Sequence, residues 1–322
     1  MKKISILLFT TIIFCVSFFL YPFILTIAEH TQTFSIVSPL PVLLSKSIPN
    51  VFENAENWKP KINSVLEIFA KKPAVTAVSA ISYDLTSDTL LYEKNIKEHL
   101  PIASLTKIMT AVVVLENNKI TKTIEVGKNA AEIGEDSMGL SAGEILTIED
   151  LLYGLMLHSG NDAAETIASG STFGRDNFVF LMNKKAEDLG LSNTHFTNPS
   201  GLEGDGNQYS TAYDLLVITN YALKKTDFAK IVASNEYYIP PTNTHKEFSL
   251  FNETNLLTTY PGVKGVKTGY TDEAGLCLVT YLEYQGHKII AVLLNSQNRR
   301  QEMAELLDYS LKTLGVTPPP HS

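Results

Sequence analysis

A disulfide framework is the first thing this sequence lacks. Only two cysteines occur in 322 residues, Cys15 in an apolar N-terminal stretch and Cys277 in a strand-like run. If the first lies in a membrane the two cannot meet, so the folded part must stand on its hydrophobic core alone. Metal-ligand spacing is missing as well. The seven histidines are scattered, and neither His-Glu-x-x-His nor Cys-x-x-Cys occurs, so no metal or other cofactor is expected. Positive charge is sparse: no Lys/Arg run exceeds two residues and the formal net charge is −8. Nucleic acid is therefore a poor partner. No internal repeat is visible.

What is present begins with an uncharged stretch at residues 4–28, preceded by Lys2 and Lys3 and closed by Glu29. At about 1.5 Å per residue it reaches roughly 37 Å, enough to cross a bilayer core with some tilt. It reads as an uncleaved membrane anchor. The alternative is a cleaved signal peptide, whose apolar region is normally shorter and whose only candidate site here, Thr26-Ile27-Ala28, is weak. Cys15 follows the large Phe14, which argues against lipoprotein processing there. Either way the lysines favour an N-terminus inside and export of the rest.

Residues 29–60 carry Pro39, Pro41, Pro49 and Pro60 and read as a tether. Ile62, Val65, Leu66 and Phe69 recur at helical spacing before Pro73. "AVTAVSAISYDL" and "TLLYEK" predict a hairpin across Thr86-Ser87-Asp88, and a helix opens near Ala103. From about 128 to 225 the chain reads as mostly helical. Thr147 is the expected N-cap of a helix with Asp150 three residues on, and a further helix is expected from Arg175 to about Leu189. "GVKGVKTGYT", "GLCLVTYLEY" and "HKIIAVLLNS" read as strands, the last two joined across Gln285-Gly286. A closing helix shows Met303, Leu306, Leu307, Leu311 and Leu314 on one face and stops at Gly315. This order predicts one α+β domain with a mainly antiparallel sheet.

Three short motifs carry chemistry. In "PIASLTKIMTA", Ser104 and Lys107 share one helical face, so a hydroxyl and an amine can meet. Serine is a poor nucleophile unless a base takes its proton, and lysine serves only when burial or a second cation keeps it neutral. In "HSGNDAA", Ser159 and Asn161 end an apolar helix face, where a hydroxyl and an amide can hold a peptide and relay a proton. In "KGVKTGYTDEAG", Lys267 and Thr268 would bind a carboxylate from a strand. Gly269 there leaves room for close approach, and Lys267 would be the second cation beside Lys107. Alone, each motif reads better as an ordinary surface or turn feature. All three in this order, on helix, helix boundary and strand, resemble the trio known from penicillin-interacting serine enzymes, with Ser-Gly-Asn standing for its Ser-Asp-Asn.

With those residues in view, the chain resembles the serine-type D-Ala-D-Ala carboxypeptidases, the low-molecular-mass penicillin-binding proteins. The likeness extends to "YDLTSDTLLYEKNIKEHLPIASLTKIMTA", "SMGLSAGEILTIEDLLYGLMLHSGNDAA", "FTNPSGLEGDGNQYSTAYDL" and "VKGVKTGYTDEAGLCLV", over about residues 74–314. It implies a β-lactamase/transpeptidase-like α+β fold, a mainly antiparallel sheet flanked by helices with a helical subdomain. The expected division is 1–28 anchor or signal segment, 29–60 tether, 61–316 catalytic domain and 317–322 tail. The resemblance implies Ser104 as nucleophile, Lys107 as acylation base, and Ser159 and Asn161 in proton relay and positioning. It assigns Lys267 and Thr268 to the substrate carboxylate, and the backbone N–H groups of Ser104 and Tyr270 to the oxyanion. The implied partners are peptidoglycan stem peptides and, as covalent inhibitors, β-lactams. The expected location is the extracytoplasmic face of the bacterial cell membrane.

Three departures stand out. Gln208 replaces a histidine found in many members, and Tyr270 another found in several. Many members also continue into a second β-domain and a C-terminal amphipathic anchor, so the expectation here is that residues 4–28 anchor instead. Other readings stay open. An endopeptidase on peptide cross-links needs the same residues, and a wall-binding protein without catalysis is the non-enzymatic reading. A class A β-lactamase needs a Glu-x-x-Leu-Asn loop; "EFSLFN" misses it by one residue and lies far past Asn161.

Overall fold

The expected hairpin forms from β1 (Ser79–Asp84) and β2 (Thr89–Lys94), an antiparallel pair. At the other end of the chain β7 (Val263–Gly269), β8 (Leu276–Tyr284) and β9 (His287–Ser296) follow. All five strands join one antiparallel sheet in the order β2-β1-β9-β8-β7. The chain thus returns to pair its last strand with its first, and β7 is left at an edge. The turn from β8 to β9 runs through Gln285 (φ 46°) and Gly286 (φ 85°), the left-handed pair that a two-residue hairpin loop requires. This computed structural model describes residues 58–62, 71–204 and 206–321. The stretch at 4–28, most of the expected tether and, apart from Ile62, the helix expected near 62–69 lie outside the described residues. Among the described residues no helix is long and apolar enough to cross a membrane.

Helices cover both faces of the sheet. The closing helix α9 (Arg299–Thr313) lays Met303, Leu306, Leu307 and Leu311 on Leu278, Leu282, Ile289, Ala291 and Leu293. It ends where the sequence predicts: Gly315 takes φ 75° and Val316 N–H donates back to Leu311 O. The alternate residues of β9, Ile290, Val292 and Leu294, are fully buried on the other face, against which α6 (Ala212–Leu223) packs. Burial on both sides explains why "IIAVLL" reads as an unbroken apolar run.

Between β2 and β7 lies the helical part. A short 3₁₀ turn, Ala103–Leu105, leads into α1 (Thr106–Asn117), so the helix expected near Ala103 begins as a tighter turn. Then come α2 (Lys128–Ala131), α3 (Ile148–Leu157), α4 (Asn161–Gly170) and α5 (Arg175–Asp188). After α6 follow α7 (Thr226–Val232) and α8 (Leu256–Thr259). Thr147 and Asp150 form the expected capping box at the start of α3. Two small ribbons were not anticipated: β3 (Thr123–Glu125) with β4 (Ile145–Thr147), and β5 (Glu236–Ile239) with β6 (Phe248–Phe251). Strands of three or four residues are too short to show alternation in the sequence.

One buried ion cluster ties the helices together. Glu116 on α1 lies 2.8 Å from Lys185 of α5 and 2.8 Å from Lys225 at the entrance to α7. The Tyr221 hydroxyl of α6 also donates to it. Lys185 is wholly buried. Burial works to raise the Glu116 pKa, but the hydrogen bonds from Lys185, Lys225 and Tyr221 hold it below the usual range. Substituting Glu116→Gln strands a buried ammonium and should destabilise the domain by about 3 kcal/mol. Urea unfolding of the variant and the parent at neutral pH measures this directly.

Candidate active site

The 3₁₀ turn and the first turn of α1 set Ser104 and Lys107 on one side, and Lys107 Nζ lies 2.8 Å from Ser104 Oγ. Two further oxygens complete the amine's surroundings: Asn161 Oδ1 at 2.7 Å and the Ser200 carbonyl at 2.8 Å. Lys107 is fully buried and Ser104 half-buried. The arrangement has a chemical asymmetry. A carbonyl and an amide oxygen can only accept, whereas a hydroxyl can also donate. A neutral amine with two N–H bonds therefore satisfies both acceptors and turns its lone pair to the Ser104 hydroxyl.

The electrostatics favour that neutral form. Burial, and after it the ammonium of Lys267, push the Lys107 pKa well below the usual range, against the carboxylates of Asp136, Glu253 and Asp162. Lys267 is itself buried and its pKa is lowered to about 8, with Glu253 and Asp136 working to raise it and the Arg299 guanidinium to lower it. The Lys267 ammonium makes no hydrogen bond or ion pair among the described residues, although the residue is only 1% exposed. A buried cation without a protein partner is suited to receive an anionic ligand.

The sequence-predicted residues fall at this one place to different degrees. Ser104, Lys107 and Asn161 are in direct contact. Gly269, in β7, is so close to the turn before α1 that a Cβ on it would stand 3.2 Å from Ser104 N and 3.1 Å from Ile102 O. The backbone of Tyr270 thus starts beside the Ser104 amide, while its side chain is 57% exposed and its hydroxyl donates to Asp272. Thr268 sits next to Lys267 and its hydroxyl donates to Glu253 at 3.3 Å. Ser159 lies in the turn between α3 and α4, buried and at φ 58°, but forms no hydrogen bond to Ser104 or Lys107. Ala103, just before Ser104, also takes a left-handed φ of 48°, the kind of local strain that surrounding contacts must hold.

Several supporting residues escaped the sequence reading. The loop at 197–201 delivers the Ser200 carbonyl, and Asn198 braces it by accepting from Ser200 N and Gly201 N and donating to Leu202 O. Thr110, one turn past Lys107, donates to Pro199 O at 2.6 Å. Gln208, the position where the family pattern fails, accepts from Thr197 N and Asn198 N and donates to Thr106 Oγ1. An amide side chain there staples loop to helix. Asp162 accepts from Met138 N, Gly139 N, Leu140 N and the Ser137 hydroxyl, fixing the segment beside Asn161. Arg299, the first residue of α9, donates to Gly269 O at 2.7 Å and so secures the end of β7. Of this set the sequence singled out Gln208 alone, as a departure from the family pattern and without a role. Glu247, of the near-miss loop, accepts from Tyr238 at the exposed surface.

Gly201 gives the sharpest test of the geometry. It takes φ 92°, and a Cβ there would lie 2.0 Å from Ala103 O. Gly201→Ala must therefore push the Ser200 carbonyl or the Ser104 turn aside. Acylation by a chromogenic cephalosporin should slow on the order of a hundredfold in a protein whose circular dichroism is unchanged. An unaltered rate would mean that Ser200 O does not position the amine.

The family model described as D-alanyl-D-alanine carboxypeptidase matches residues 67–298. The D-alanyl-D-alanine carboxypeptidase DacF of Bacillus subtilis is 36% identical over 250 residues, covering 75% of this chain and 64% of that protein. The chain thus spans a little under two thirds of that relative's length. A D-alanyl-D-alanine carboxypeptidase of Streptomyces strain K15 is 34% identical over 257 residues, covering 74% of this chain and 88% of that protein. Among solved structures, the Streptomyces K15 DD-transpeptidase superposes with a TM-score of 0.71 at 33% identity, covering 75% of this chain and 99% of that one. Penicillin-binding protein D2 of Listeria monocytogenes in its cefotaxime-bound form gives a TM-score of 0.66 at 26% identity, covering 75% of this chain and 99% of that one.

Proposed function

Because the chain belongs to the D-alanyl-D-alanine carboxypeptidase family, we propose that it hydrolyses the terminal D-Ala-D-Ala bond of peptidoglycan stem peptides through an acyl-enzyme on Ser104. The observation that carries the proposal is the buried Lys107 amine, held by Asn161 and Ser200 with Ser104 Oγ as its third contact.

In this reading Lys107 takes the hydroxyl proton as Ser104 Oγ bonds to the penultimate D-alanine carbonyl carbon. The carbonyl oxygen, now an anion, lies against the N–H groups of Ser104 and Tyr270, which are aimed where charge develops. Asn161 holds the acyl portion. Lys267 and Thr268 bind the terminal carboxylate, so the leaving residue must be the end of a chain. Collapse breaks the C–N bond, and the leaving amine receives the proton from Lys107, with Ser159 as the relay. Water then cleaves the ester and returns the enzyme. A β-lactam follows the first half of the same path and remains as the ester. Such a substrate implies work outside the cytoplasm, with residues 4–28 as the membrane anchor.

The test is direct. The full chain in detergent should be labelled by a fluorescent penicillin, and Ser104→Ala should abolish the label. Lys107→Arg should abolish it too, since a guanidinium stays protonated and cannot accept the proton. Incubation with a pentapeptide stem should release D-alanine. Cleavage of a cross-linked dimer alone would move the assignment to an endopeptidase, and a wild type that takes no label would favour the inert wall binder.

The pH dependence of peptide turnover follows from Lys267. Its pKa, lowered to about 8, means that its positive charge is present below that pH and lost above it. KM for a stem peptide with a free carboxylate should therefore rise above about pH 8. The same peptide with a C-terminal amide should show no such limb, and Lys267→Arg should shift the limb upward. Steady-state kinetics between pH 6 and about 10 separate these outcomes.

A further inference from the structure

The end of the cleft that suits a peptide carboxylate already faces a carboxylate of the protein's own. Glu253 lies two residues past β6, and its Oε2 accepts from the Thr268 hydroxyl at 3.3 Å. That hydroxyl has a single proton to donate. Lys267, the neighbouring residue in β7, feels the same negative charge: Glu253 comes ahead of Asp136 among the groups that favour its ammonium. The other charged groups facing Lys267 are Arg299 and the Lys107 amine.

The backbone that carries Glu253 is pinned, while its side chain is exposed. Glu253 N–H donates to Leu157 O, at the end of α3, at 3.1 Å. Asn252, just before it, donates through Nδ2 to Val232 O at 3.2 Å and Ser234 O at 2.9 Å. Asn252 Oδ1 accepts from Thr254 N at 2.9 Å, and Thr254 is buried. The stalk is thus fixed and the carboxylate at its tip can turn. Glu253 and Thr268 also line a cavity of about 40 Å³ together with Leu278, Arg299 and Arg300. The carboxylate can leave Thr268 and turn toward the Arg299 guanidinium across this space.

We propose that Glu253 is an internal competitor for the terminal carboxylate of the substrate. It holds the Thr268 hydroxyl while the cleft is empty, yields it to the peptide, and reclaims it to expel the D-alanine set free by acylation. The proposal rests on the carboxypeptidase reading and adds to it a residue that sets affinity for the chain end. Two carboxylates drawn to one hydroxyl proton and one ammonium repel each other, so each weakens the hold on the other. Once the C–N bond is broken, D-alanine keeps little more than its carboxylate contacts, and that repulsion clears the cleft for water.

The experiment compares the parent with Glu253→Gln, which keeps the shape and removes the charge, using the full chain in detergent. The substrates are a pentapeptide stem with a free C-terminal carboxylate and the same peptide as its C-terminal amide. At neutral pH the variant's KM for the free acid should fall about fivefold, the worth of one ordinary hydrogen bond. KM for the amide should stay as in the parent. Added D-alanine should inhibit the variant about fivefold more tightly, by the same bond. The pH profile gives a readout that a purely structural role would not move. Without the Glu253 charge the Lys267 ammonium loses its proton more easily, so the alkaline rise in KM for the free acid should begin at a lower pH than in the parent. An unchanged or higher KM for the free acid, an equal fall for acid and amide, or unchanged inhibition by D-alanine overturns the proposal while peptide turnover continues. Failure of the parent to release D-alanine from the free acid overturns the carboxypeptidase reading itself, and the competition with it.

Discussion

The site turns on one buried amine whose surroundings weigh against its charged form. Lys107 is surrounded by two oxygens that can only accept and one that can also donate. In water such an amine would be an ammonium. Inside the domain, burial and the neighbouring Lys267 ammonium weigh against the proton. Each of the three contacts comes from a different stretch of chain: the turn before α1, the start of α4 and the loop at 197–201. The rest of the architecture can be read as the means of bringing those stretches to one point and holding them there.

That holding is done largely by hydrogen bonds rather than by apolar packing. The loop at 197–201 is clasped from within by Asn198, from α1 by Thr110 and from behind by Gln208. The segment before α4 is gathered by Asp162. Arg299 reaches from the last helix to the end of β7. Directional bonds suit this task, because they define an atom's position more sharply than a hydrophobic contact does. The apolar core under α9 supplies stability at a distance from the chemistry.

Most of the fold and the centre of the site were legible in the sequence, for identifiable reasons. Thr147 with Asp150, Gln285-Gly286 and Gly315 each mark a boundary through local chemistry, and all three stand where they were read. Ser104, Lys107 and Asn161 were found because their types and order admit few other combined uses. The supporting residues were hidden. Gln208 acts across 102 positions to reach Thr106, and nothing in its neighbours hints at that. Arg299 reads as the start of an ordinary amphipathic helix, and its contact with Gly269 exists only once β7 and α9 are side by side. The ribbons β3–β4 and β5–β6 were missed because tertiary pairing, not local preference, makes them strands.

The position of β7 at the rim of the sheet has a wider consequence. An unpaired strand edge beside the Ser104 hydroxyl would invite any extended polypeptide. Here the approach ends at Lys267, a buried positive charge whose side chain has no hydrogen-bond or ion-pair partner among the described residues. A loop from the middle of a neighbouring protein brings no negative terminus to neutralise it, and would have to leave that charge dry and unmatched. In the carboxypeptidase reading, the same lysine that would receive a chain end would also spare the surrounding proteins.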